Sequence, residues 1–159
     1  MFGNSLRIAP AVLGLGLALG LAGGALAAGP HAHAGEAAAA ITLDHGRQWP
    51  SDAALRKGMT RLRGAMAAAL PAIDADRLPA AGFATLADQA QAQVDYVTAN
   101  CMLPEAADAQ LHLVLAQILD GINAMKGEGD RMAGAAAIVR ALNAYGEAFD
   151  HPGWVPLGH

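Results

Sequence analysis

Six histidines, one cysteine and two tryptophans stand out in a chain of 159 residues otherwise rich in small side chains, 40 alanines and 19 glycines among them. Cys101 and His112 carry the ligand chemistry most suited to soft and borderline transition metals, a thiolate and an imidazole. With His45 or His151 they offer donors for copper or zinc. Asp108 stands four residues before His112, one helical turn away. It can ligate the same ion, or orient the imidazole by accepting its second N–H. The candidate metal set is therefore His45, Cys101, Asp108, His112 and His151. Each residue also has a plainer use. A free cysteine often only fills space, a histidine at a helix end caps carbonyls, and loop tryptophans can plug a bundle mouth.

Other chemistries find little purchase. The chain has no C-x-x-C-H for covalent haem attachment, and no G-x-S-x-G, Walker loop or H-E-x-x-H. Cys101 beside a histidine lacks an evident oxyanion site, so a thiol nucleophile is a weak case and the chain reads as non-enzymatic. Met59, Met66 and Met125 fall on apolar stripes, where methionine is packing. His31-Ala32-His33 would follow Pro30 at a new N-terminus, and proline has no amide N–H to give to copper. A formal charge of −4 leaves no footprint for nucleic acid. A single cysteine excludes an intramolecular disulfide.

The elements that must position these residues are helices. Alanine is the strongest helix former, and strand-forming valine, isoleucine and threonine are scarce. An all-β fold is excluded, and a doubly wound α/β fold lacks its apolar strand runs. Leu55, Met59, Leu62, Met66, Ala69 and Ile73 recur at spacings of three and four, one face of a helix. Ser51 is its expected N-cap, Asp52 favours its dipole, and Pro71 is expected to end it before Ile73. Arg56, Lys57, Arg61 and Arg63 lie off the stripe, as a solvated side. A second helix starts around Pro79, with Phe83, Ala87, Ala90, Val94, Val97 and Cys101 on its stripe. Pro104 opens a third, carrying Asp108, Leu111, Leu115, Ile118, Ile122 and Met125. Gly127-Glu128-Gly129-Asp130 supplies a stop, a turn and an N-cap for a fourth, with Ala135, Ile138, Leu142, Tyr145 and Phe149. Short joints between helices of similar length make an all-α, antiparallel up-down-up-down four-helix bundle over residues 44–159.

That topology sends the unusual residues to one end. His45 and Trp49 arrive from the start, Cys101 from the close of the second helix, and Glu105, Asp108 and His112 from the opening of the third. His151, Trp154 and His159 come from the tail. The opposite end receives 71–79 and 127–130, without histidine, cysteine or tryptophan.

Residues 1–28 read as an export signal: Arg7, an apolar run from Ile8 to Leu21, then Ala25-Leu26-Ala27 for cleavage after Ala27 or Ala28. The run approaches the length of a membrane span, but it is glycine-rich and no basic stop-transfer cluster follows. Residues 29–43 form a flexible lead-in. The mature chain is expected in the periplasm or secreted, with no membrane contact once cleaved. Its partner is a metal ion or an unknown protein. The leading reading is a binding protein with copper or zinc at one bundle end. The alternative is a metal-free structural or protein-interaction module.

LDHGRQW (43–49), NCMLPEAADAQLH (100–112) and FDHPGWVPLGH (149–159) resemble a family of small exported bacterial proteins sometimes labelled DnrO. The resemblance spans most of 43–159 and implies no established activity. The architecture is more distantly similar to the cytochrome b562 and c′ bundles. The b562 haem pattern, a methionine early in the first helix and a histidine late in the fourth, would fall on Met59 and His151. His151 lies at the helix end instead of within it, so copper or zinc is expected ahead of haem.

Overall fold

A computed structural model describes residues 40–158. The expected signal at 1–28, most of the lead-in and His159 lie outside the described residues. Four helices follow in order: α1 (Ala53–Asp74), α2 (Ala80–Asn100), α3 (Glu105–Lys126) and α4 (Arg131–Ala148). α1 packs on α2, α2 on α3, α3 on α4, and α4 closes the ring on α1. This is the all-α four-helix bundle that the apolar stripes predict. No helix among the described residues is long and apolar enough to cross a membrane.

Each stripe becomes core. Leu55, Met59, Leu62 and Met66 of α1 are buried against Val94, Val97, Leu111, Ile118, Ile138 and Leu142 from the other helices. α3 and α4 approach most closely, because glycine faces glycine at their crossing. A Cβ on Gly121 would stand 2.7 Å from the Gly134 carbonyl, and one on Gly134 would stand 2.8 Å from the Gly121 carbonyl. Only the missing side chains let the two backbones meet.

Two helix boundaries differ from the expectation. Asp52, not Ser51, is the N-cap of α1: its carboxylate accepts from Leu55 N at 2.6 Å. Ser51 instead donates its hydroxyl to the Asp150 carbonyl, tying the helix start to the tail. Pro71 does not end α1, which runs on to Asp74. Pro71 is exposed, so its lost hydrogen bond falls on the solvent side, while buried Ile73 anchors the last turn in the core. The chain then turns at Asp76, with φ at +50°.

The segment before α1 is pinned to the end of α4. Trp49 N donates to the Ala148 carbonyl at 2.8 Å and Asp150 N to the Trp49 carbonyl at 2.9 Å. Gln48 covers the Gly146 and Glu147 carbonyls at 3.0 and 3.2 Å, supplying partners that the last helical turn lacks. Trp154 packs on α4 at Gly146, where any Cβ would collide with the indole.

Candidate functional site

The helix 2–3 corner and the start of α1 meet through one carboxylate. Asp52 accepts from Met102 N at 2.7 Å while capping α1. The Cys101 side chain stands beside it at the same corner. Burial opposes ionisation of Asp52, but hydrogen bonds from Leu55, Met102, Cys101 and Ala54 outweigh it and hold the carboxyl below its usual range. The thiol goes the other way. Burial, then the charge and hydrogen bond of Asp52, then the charge of Asp108 push Cys101 up to about 12. Cys101 therefore keeps its proton at neutral pH, in surroundings that favour positive charge.

Cys101, Asp108 and His112 line one cleft of about 230 Å³, with Val97, Thr98, Leu111 and Leu115. Asp108 sits at the edge of the stripe, its side chain 47% exposed, and Ala107 takes the core position beside it. His112 is the more open, with its Nδ1 at 2.9 Å from the Asp108 carbonyl and 3.3 Å from its carboxylate. Both neighbours are acceptors, so Nδ1 carries a proton and Nε2 is the ring nitrogen left for an ion. A ligating histidine is commonly prepared in this way, by a carbonyl or carboxylate behind the ring.

The other two expected ligands stand elsewhere. His45 is at the tip of a tight turn closed by mutual Asp44 and Arg47 backbone bonds of 2.9 Å. His45 and Gly46 both have positive φ, the geometry of a type I′ turn, and the imidazole points to solvent, 95% exposed. His151 lies in a different cleft, of about 540 Å³, between α1 and the tail. Its Nδ1 is 2.9 Å from the Tyr145 hydroxyl and its Nε2 is 3.3 Å from Thr60 Oγ1. Burial, then the charge of Arg56, depress its pKa against the opposing pull of Asp150. Met59, the other residue of the haem pattern, is buried in the core. Among the described residues, no three His, Cys, Asp or Glu side chains are close enough together to hold one ion.

No family model matches the chain, and neither a curated protein nor a solved structure matches it. The site must therefore be judged on its own chemistry. Tyr145 is the residue that the sequence reading left in the core and that organises this end. It is fully buried, stacks on Phe149 with centroids 5.2 Å apart, and meets the edges of Trp154 and His151 at 4.9 and 5.7 Å. Desolvation raises its pKa against the opposing charge of Arg56, with the carboxylates of Asp52 and Asp150 adding to the rise. Its hydroxyl, 2.9 Å from His151 Nδ1, holds that imidazole at the wall of the larger cleft. Asp52 is the second missed residue; Pro50-Ser51-Asp52 signalled a cap but not its reach to the corner.

Proposed function

We propose that the chain is an exported, non-catalytic binding module that holds one transition-metal ion, copper(I) first, in the cleft between Cys101 and His112. The observation that carries this reading is the preparation of His112. Its Nδ1–H is engaged by Asp108, which leaves Nε2 for a metal, and His112 lines the same cleft as the only thiol. One sulfur and one imidazole nitrogen make a soft, low-coordinate set, which suits copper(I) better than zinc with its usual four ligands. The carboxylates of Asp52 and Asp108 disfavour a bare thiolate but favour a cation beside it. Binding would release the thiol proton to solvent. Asp108 acts as the orienting group, and His45 and His151 are outside the set.

The test is metal analysis of the protein purified from the periplasmic fraction without a polyhistidine tag. The expected result is one copper per chain, lost in Cys101→Ala and in His112→Ala while the helical signal is retained. Retention of copper by both variants would assign the ion elsewhere. N-terminal sequencing of the same material is expected to begin after Ala27 or Ala28. Recovery of an intact Met1 from cytosol would overturn export. A metal-free interaction module is favoured by one observation: Met102 and Val155, 88% and 59% exposed, present apolar surface at this same end.

A further inference from the structure

Four of the ten basic residues of this acidic chain fall between Arg56 and Arg63. The ion pairs found among the described residues use Arg47, Lys126, His45 and His112, and none of these four. Arg56, Lys57 and Arg61 line the cleft of about 540 Å³ together with Thr60, Asp150 and His151. The cations are held in place by neutral partners. Arg56 donates to the Ser51 carbonyl and hydroxyl. Lys57 and Arg61 lie over the Tyr96 ring, 5.3 and 6.0 Å from its centroid. Such contacts fix a cation without neutralising it.

His151 is held at the wall of the cleft by neutral partners on both ring nitrogens, Nδ1 at 2.9 Å from the Tyr145 hydroxyl and Nε2 at 3.3 Å from Thr60 Oγ1. The cleft thus offers charge from α1 and the Thr60 hydroxyl, against one exposed carboxylate, Asp150. We propose that this cleft binds a small phosphate-bearing polyanion, with Lys57 and Arg61 supplying charge and Thr60 a hydrogen bond. Two cations and a hydroxyl around one cleft suit a polyanion with several acceptor oxygens better than a single carboxylate. The volume lies within the roughly 300–1,000 Å³ of small-molecule sites. The site is separate from the thiol cleft and does not depend on metal.

Calorimetric titration with pyrophosphate at low ionic strength tests the proposal on the full mature protein. Binding is expected at one site, weakened about tenfold by Lys57→Gln and by Arg61→Gln, the loss of one charge-assisted hydrogen bond each. Arg140→Gln, an exposed cation on α4 away from the cleft, is expected to bind as the parent does. Sedimentation with phosphatidylglycerol vesicles, compared with phosphatidylcholine, separates the two sources of phosphate. Co-sedimentation displaced by pyrophosphate assigns a lipid headgroup; its absence, with calorimetric binding intact, assigns a soluble phosphate ester. No heat at millimolar pyrophosphate, or an equal loss in Arg140→Gln, would overturn the site.

Discussion

Cys101 is defined by what surrounds it. A thiol pushed up to about 12 by burial and two carboxylates has almost no thiolate at neutral pH, so it is a poor nucleophile. Alkylation by iodoacetamide at neutral pH should be slower than that of a free cysteine by roughly a hundredfold or more, since the thiolate fraction sets the rate. A rate like that of free cysteine would refute this environment. Asp52 is the residue to remove next. Asp52→Ala takes away a helix cap and should cost about 1–2 kcal/mol in denaturant unfolding. It should also speed alkylation of Cys101, which a simple cap would not do. The pH dependence follows from two lowered values. Asp52 binds its proton less readily when folded, so its stabilisation is present above the ordinary carboxylate range and is lost as pH falls through its lowered value. His151 is likewise harder to protonate when folded. Stability should therefore already decline as pH falls below its unfolded value of about 6.5, before the carboxylate step. His151→Asn should abolish the first decline and keep the second, as read by melting temperature across pH. Of these residues, Cys101 and His112 were legible as ligand types. Asp52 was legible only as a helix start, because its second role depends on a corner fifty residues away.

The helices themselves were almost fully legible. Their apolar residues recur at three and four, and every stripe lands in the core save Asp108, Cys101 and Ala69, which are partly exposed. Boundaries were less so, because proline and cap signals compete with packing that no local pattern reveals. Pro71 stays inside α1 since Ile73 must reach the core beyond it. Pro71→Ala should restore a backbone hydrogen bond and raise stability, by at most about 3 kcal/mol, the usual penalty for an interior proline. A loss of stability would mean that the ring itself packs. The α3–α4 crossing makes the opposite prediction. Gly121→Val forces a side chain against the Gly134 carbonyl and Ile138, and should cost at least about 1–3 kcal/mol through overpacking. Gly64→Ala, at a position with open space around it, is the matched control and should be neutral or mildly stabilising.

At the scale of the whole molecule, the gathering of unusual residues at one end followed from topology alone. Short joints bring the start of α1, the 101–104 corner and the tail together, and Asp52–Met102 and Trp49–Asp150 bonds realise that meeting. The partition of that end was not legible. Buried Tyr145 and Thr60 hold His151 in a cleft apart from Cys101, a positive φ turns His45 outward, and the stripe that looked merely solvated forms the wall of a cationic pocket. Side-chain direction and helix stagger decide these matters, and spacing along the chain carries neither. One end of the bundle thus carries two clefts, of which the thiol cleft bears the proposed function. X-ray absorption at the copper edge, on tag-free protein loaded with one equivalent of copper(I), tests this most directly. The expected first shell is one sulfur and one imidazole nitrogen, with the sulfur contribution absent in Cys101→Ser and the imidazole absent in His112→Ala. A shell without sulfur, or one with several imidazoles that survives both substitutions, would contradict it.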